Sequence, residues 1–174
     1  MKRLLKPACF QFINAKKIDK LNQVYTGDHS SNYQRLFSSS PSSSVNRMTI
    51  LYGSQTGTAQ GIAKTIGMFS GMYGIDTSIR SLEGYKAEDL LKEDHVLFVL
   101  ATYGSGEMPS TATGFWKSLL TSKSDFSKLK YSIFGLGNST FDEFNNASKT
   151  LDAKLRQLKA CFLFFFLLLL LPRP

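Results

Sequence analysis

Three apolar runs in this chain each stop abruptly in a loop of glycines and hydroxyls. That repeated ending constrains the fold more than any other feature. The second run, Val96-Leu97-Phe98-Val99-Leu100-Ala101, is apolar without alternation. A strand that reads this way is buried on both faces, as in a parallel sheet covered by helices. It ends in Thr102-Tyr103-Gly104-Ser105-Gly106-Glu107. The first run, Met48-Thr49-Ile50-Leu51-Tyr52, leads into Gly53-Ser54-Gln55-Thr56-Gly57-Thr58-Ala59. The third, Tyr131-Ser132-Ile133-Phe134, leads into Gly135-Leu136-Gly137-Asn138-Ser139-Thr140-Phe141. In an open parallel sheet, loops at the carboxyl ends of strands lie along one edge and build the ligand site there.

The segments between these runs read as helices. Ala59, Ile62, Ala63, Ile66, Phe69 and Tyr73 recur at helical spacing and predict a helix over about 58–73, closed by Gly71 and Gly74. Asp76–Ser81, with Ile75 and Ile79, predicts a short strand, and Ala87–Lys92 a short helix. A further helix is predicted over 111–122, with Phe115, Trp116, Leu119 and Leu120 on one side. The last spans 145–158, with Phe144, Ala147, Leu151, Leu155 and Leu158 along one face. Such alternation implies right-handed βαβ crossovers and an α/β fold with helices on both faces of a parallel sheet.

The first loop suits an anion. A helix start carries unpaired backbone N–H groups and the positive end of the helix dipole. Gly53 and Gly57 let the backbone curl closely, and Ser54, Thr56 and Thr58 add hydroxyls. No Lys follows the second glycine, so the triphosphate P-loop pattern is absent and a terminal monophosphate fits better. The alternative is an ordinary βα turn capped by Thr. The other two loops carry aromatic residues, Tyr103 and Phe141. A phosphate grip with two aromatic platforms describes a site for a planar ring with a phosphate tail.

Together the segments Ser54–Ala59, Ala101–Gly104 and Leu136–Phe141 resemble the FMN-binding, flavodoxin-like domain of the diflavin reductases, in family order and at family spacing. That group includes NADPH–cytochrome P450 reductase, the sulfite reductase flavoprotein, nitric oxide synthase and the reductase part of pyruvate:NADP oxidoreductase. The resemblance covers about residues 48–160. It implies a three-layer sandwich with strand order 2-1-3-4-5 and FMN at the switch point of the sheet. It implies that Ser54, Gln55, Thr56, Gly57, Thr58 and Ala59 hold the phosphate. Ala101, Thr102, Tyr103 and Gly104 would meet the ring, with Tyr103 stacked on one face. The third group would be Leu136, Gly137, Asn138, Ser139, Thr140, Phe141, Asp142, Glu143, Phe144 and Asn145. Phe141 falls where relatives of the P450-reductase type place a second stacking Tyr, so it keeps the π-face and lacks the hydroxyl. Gly135, Gly137 and Asn138 would let their loop approach the other side of the ring. Glu107, Asp142 and Glu143 are the nearest acids. They read as tuning charges, as docking charges for a redox partner, or as a solvated rim.

The resemblance further implies an FAD/NADPH-binding reductase module as electron donor and a redox acceptor the sequence does not identify. Electron transfer needs no general base, and no Ser/His/Asp or Cys/His arrangement is evident. The chain shows no second Rossmann unit and reads as a module that cannot oxidise NADPH by itself. Two other classes compete: a truncated, non-catalytic flavodoxin-like fragment, and a receiver-like α/β domain. The latter needs acids at the first strand end, where Tyr52-Gly53-Ser54 has none.

Charge and composition divide the rest. The net charge is +8, but eight of the 21 Lys/Arg and only two of the 13 acids lie in residues 1–47. The basicity belongs to this arm and gives no nucleic-acid stripe in the globular part. The arm is poor in acids and ends Ser38-Ser39-Ser40-Pro41-Ser42-Ser43-Ser44, the composition of a mitochondrial or plastid transit peptide with a linker. Arg35-Leu36-Phe37 before Ser38 resembles a mitochondrial processing site. A plain linker without targeting is the alternative, and the cytoplasm then replaces the mitochondrion. Cys9 and Cys161 form no disulfide framework, and His29 and His95 no metal cluster. Residues 161–174 begin where the family's fifth strand starts, then continue as Phe and Leu to Pro172-Arg173-Pro174. This run is too short for a membrane-spanning helix. It reads as a fifth strand followed by an altered or missing acidic loop and final helix, through a faulty gene model. A membrane-dipping tail is the alternative.

Overall fold

The computed structural model describes residues 47–137 and 142–163. Five strands alternate with helices: β1 (Arg47–Gly53), α1 (Thr58–Met72), β2 (Asp76–Ser81), β3 (His95–Ala101), α2 (Ser110–Thr121), β4 (Lys130–Leu136), α3 (Asn146–Gln157) and β5 (Cys161–Phe162). The expected short helix at Ala87–Lys92 is present as a 3-10 helix. All pairings are parallel, and the strand order is β2-β1-β3-β4-β5, as the resemblance implied.

Burial explains why β3 is central. Val96 to Leu100 are all buried, and successive side chains feed opposite layers. Val96, Phe98 and Leu100 join Leu51, Phe115, Leu119, Leu151 and Leu155 in the core under α2 and α3. Leu97 and Val99 join Met48, Ile50, Ala59, Ile62 and Ala63 in the core under α1. Each such Leu or Phe is worth about 1.5–3 kcal/mol of transfer free energy, so the sheet is held from both sides.

Helix α1 buries Ala59, Ile62 and Ala63 as the periodicity required, together with Gly67 and Ser70. Gly67 is a packing position: a Cβ there would lie 2.7 Å from Ile79 Cδ1. Gly74, at φ +69°, ends the helix. Its N–H donates to Gly71 O at 2.9 Å and the Ile75 N–H to Ser70 O at 3.1 Å, the paired bonds of a Schellman cap. Gly71 lies inside the helix and ends nothing. Tyr73 falls beyond the last turn and is exposed, and Leu120 on α2 also faces outward.

Strand β5 pairs with β4 through Lys130↔Cys161 and Tyr131↔Phe162. The Tyr131 hydroxyl donates to Asp152 Oδ1 at 2.6 Å, and Arg156 Nε donates to Asp152 Oδ2 at 2.8 Å. The Arg156 guanidinium lies 5.2 Å from the centre of the Phe162 ring. These contacts fasten α3 to the last two strands. The rest of the apolar tail, from residue 164, and the arm to residue 46 lie outside the described residues. No described helix is long and apolar enough to cross a membrane.

Candidate functional site

Register brings the three loops to one edge. Gly53 pairs with Leu100, and Leu100 with Gly135, so β1, β3 and β4 end at the same height. At about 4.8 Å per strand the outer two loops begin roughly 10 Å apart.

The loop after β1 is built around Ser54. This side chain is buried, and its Oγ accepts the Gly57 N–H at 3.0 Å and the Ala59 N–H at 3.3 Å. With both acceptor positions used, the hydroxyl proton remains to be donated. Thr56 Oγ1 and Thr58 Oγ1 are exposed and 3.2 Å apart. Gln55 is exposed, and its Oε1 accepts the Ser110 N–H at 3.4 Å. Gly57 sits at φ +85° with open space where a Cβ would be, so glycine is required there for its backbone. Gly53 is required for a different reason. A Cβ on it would lie 2.8 Å from Leu100 Cδ1 and 3.1 Å from Ala112 Cβ, so it permits packing and not curvature.

The loop after β3 folds back as a miniature hairpin. Tyr103 N–H donates to Glu107 O at 3.0 Å, and Glu107 N–H donates to Tyr103 O at 2.8 Å. Gly104 and Gly106 take positive φ, +53° and +102°, to close it. The result presents Tyr103 outward, 50% exposed. A half-exposed aromatic held by paired main-chain bonds is a platform with a free face.

Beside this platform is a cavity of about 680 Å³. Thr102, Tyr103 and Gly104 line it from one side, and Gly137 with Asp142 to Asn145 from the other. Ser105 and Gly106 line it too, and the sequence reading passed over them. Ala101 and Leu136 end their strands and contribute packing around α1. The loop 54–59 lies outside this cavity, on the neighbouring strand end. Asn138, Ser139, Thr140 and Phe141 lie outside the described residues.

Asn145 is the unusual residue here. It is 1% exposed, takes the left-handed conformation at φ +56°, and precedes α3. Among the described residues its Oδ1 and Nδ2 have no hydrogen-bond partner, nor do Thr102 Oγ1 and Ser148 Oγ. An unpaired buried polar group costs about 1–3 kcal/mol, so these atoms mark places where a further partner fits. Gly135 and Gly137 make room for this cluster, and Gly137 also lines the cavity. A Cβ on Gly135 would lie 2.7 Å from Ser148 Oγ, and one on Gly137 would lie 2.7 Å from Asn145 Oδ1. The acids Glu107, Asp142 and Glu143 are exposed, and Asp142 and Glu143 line the cavity. No group of His, Cys, Asp and Glu with metal-binding geometry occurs among the described residues.

Comparison with known proteins follows this architecture. The flavodoxin profile matches residues 50–171. The NADPH-dependent diflavin oxidoreductase 1 of Schizosaccharomyces pombe is 40% identical over 114 residues, covering 64% of this chain and 20% of that protein. The sulfite reductase (NADPH) flavoprotein alpha-component of Vibrio cholerae is 36% identical over 68% of this chain and 20% of its own length. The NADPH–cytochrome P450 reductase of Cavia porcellus is 36% identical over 64% of this chain and 17% of its own length. The chain thus spans about a fifth of the curated relatives it matches. Among solved structures, oxidised Flavodoxin 2 from Bacillus cereus superposes with a TM-score of 0.62 at 26% identity, covering 68% of this chain and 80% of that one.

Proposed function

We propose, from the premise that this chain belongs to the flavodoxin family, that it is an FMN-binding electron-transfer module of a diflavin-type oxidoreductase. The observation that carries the reading is the aligned row Gly53–Leu100–Gly135. It brings a loop of hydroxyls and amides, an aromatic platform and a buried carboxamide to one sheet edge.

The residues fit FMN on two counts. The Gly57 turn leaves open space beside the Ser54, Thr56 and Thr58 hydroxyls. Thr102 Oγ1 and the Asn145 carboxamide are buried without partners among the described residues, and both residues line the cavity beside Tyr103, where the polar edge of a flavin would satisfy them. FMN supplies the redox chemistry once bound. The chain's own residues bind and orient it. Ser54 donates its remaining proton to a phosphate oxygen, with Gln55, Thr56, Gly57, Thr58 and Ala59 around it. Tyr103 covers one ring face, and Phe141 is assigned to the other. The exposed carboxylates of Glu107, Asp142 and Glu143 rim the mouth, where they guide a basic redox partner and discourage added negative charge on the ring.

Electrons would come from an FAD/NADPH-binding reductase module and pass to an acceptor protein. The basic arm, residues 1–47, would direct the chain to mitochondria and be cleaved near Phe37–Ser38. A reporter fused to the arm is expected to enter mitochondria and lose it; a cytosolic reporter with an intact arm rejects this. The relay itself is tested by supplying a diflavin reductase's FAD/NADPH module with the FMN-loaded chain. NADPH-dependent reduction of the bound flavin, then of an added acceptor, is the expected result. The second reading is a non-catalytic flavodoxin-like domain that acts without a donor module. It predicts bound flavin that no donor module reduces.

A further inference from the structure

We infer that Thr111 is a positioning residue for the phosphate loop, acting on it from the next helix but one in the fold. The inference rests on the FMN reading above. Ser54 is the first residue past β1, where its main-chain groups leave the sheet. Both are taken up by one side chain. The Ser54 N–H donates to Thr111 Oγ1 at 3.0 Å, and Thr111 Oγ1 donates to Ser54 O at 3.1 Å. This reciprocal pair crosses 57 positions of sequence and is partly buried.

The pair matters because Ser54 is the hub of the loop. Its Oγ accepts the Gly57 and Ala59 N–H groups and so fixes the curl of residues 54–59. Holding both main-chain groups of Ser54 fixes its backbone angles, and those angles aim the hydroxyl. A hydroxyl holds both groups because it donates and accepts through a single atom. Close approach of the two elements makes the reach possible: Gly53 has no Cβ, and one there would lie 3.1 Å from Ala112 Cβ. A weaker contact beside it, Ser110 N–H to Gln55 Oε1 at 3.4 Å, joins the same two elements.

The position of Thr111 gives it a second consequence. The Tyr103 hairpin closes at Glu107, and α2 begins three residues later at Ser110. Thr111 therefore stands where the chain leaving the ring platform meets the loop that grips the phosphate. It keeps the two ends of the ligand site at a fixed spacing.

The test compares FMN with riboflavin, which has the ring and lacks the phosphate. Thr111→Val keeps the shape and removes both hydrogen bonds. Thr111→Ser keeps the hydroxyl. Thr111→Ala removes the same hydroxyl and serves if the valine variant does not fold. Two lost hydrogen bonds correspond to about ten- to a hundredfold weaker FMN binding. That loss is expected in the Val and Ala variants, with riboflavin affinity unchanged and the serine variant close to the parent. Equal losses of FMN and riboflavin would mean that Thr111 merely supports the fold and would overturn the inference. So would unchanged FMN binding in the valine and alanine variants, or a serine variant as weak as either. A parent chain that binds no FMN contradicts the functional reading itself, a result distinct from all of these.

Discussion

The two edges of the same sheet are built on opposite terms. At the edge where the strands begin, polar groups find partners within the chain. Glu93 accepts the Thr49 hydroxyl at 2.6 Å and the Tyr85 hydroxyl at 3.3 Å. Lys159 lies 2.8 Å from Asp125 and, with the Ser127 N–H, holds that carboxyl down at about 2. Arg47 faces Asp76 across the first pair of strands. At the edge where the strands end, four of the five buried side-chain atoms without partners among the described residues cluster, on Thr102, Asn145 and Ser148; the fifth, Ser70 Oγ near the start of β2, is the exception at the opposite edge. The same five strands serve both edges, so the difference comes from the loops. One edge is closed by ion pairs and hydrogen bonds, and the other carries the buried polar groups that the FMN reading assigns to a ligand.

The largest effect should come from a change that damages the ligand edge through its packing. Gly135→Ala puts a methyl 2.7 Å from Ser148 Oγ and 3.0 Å from Ser148 Cβ. Overpacking of this kind costs about 1–3 kcal/mol, and it displaces Asn145 from the cavity. Both the melting temperature and FMN affinity should fall. A variant as stable as the parent would show that the Asn145–Ser148 cluster yields easily.

Next in size is Tyr103→Ala. Loss of the platform should weaken FMN by several-fold to tenfold or more, from a stacking contribution of about 0.5–1.5 kcal/mol plus lost contact area. It should also restore flavin fluorescence. The apo melting temperature should hardly move, because Tyr103 is half exposed. Equal loss of stability would mean that the ring serves the fold.

Thr102→Val sharpens the comparison by reversing a sign. It removes a buried hydroxyl that has no partner among the described residues, at nearly constant shape. An unsatisfied group costs about 1–3 kcal/mol, so the apo protein should melt higher while FMN binds more weakly. Thermal melts with and without FMN read both. A variant less stable without flavin would show that the hydroxyl already has a use in the fold.

Most of the fold was legible because its signals are local. The unbroken run Val96–Ala101 announced a central strand, and the periodicity of Ala59, Ile62 and Ala63 announced the helix on it. Tyr73 and Leu120 matched the pattern yet are exposed, since periodicity does not show where a helix stops or how wide its buried stripe is. The glycines were legible as positions, but the reason was legible only for Gly57. Gly57 is needed for its backbone, whereas Gly53, Gly135 and Gly137 are needed because side chains from distant elements occupy the space. Thr111 and Ser148 left no local trace, because what marks them is contact across 57 residues in one case and burial without a partner among the described residues in the other.

The smallest effect belongs to the opposite edge and to pH. Burial, with Lys130 alongside, lowers the His95 pKa below its usual 6.5, against a smaller upward pull from Asp94. Above that pH both folded and unfolded chains are neutral at this site. As pH falls through 6.5 the unfolded chain takes up the proton first, so stability declines until the folded pKa is passed. His95→Gln should flatten this part of the stability profile and leave FMN affinity untouched. An unchanged slope would place the pH dependence elsewhere.

The most direct test of the ligand edge is titration of the folded apo chain with FMN and, separately, with FAD, followed by quenching of flavin fluorescence. Saturable uptake of one FMN per chain, with FAD held far more weakly, is the predicted result. A folded chain that quenches neither flavin would contradict the assignment of this edge to FMN.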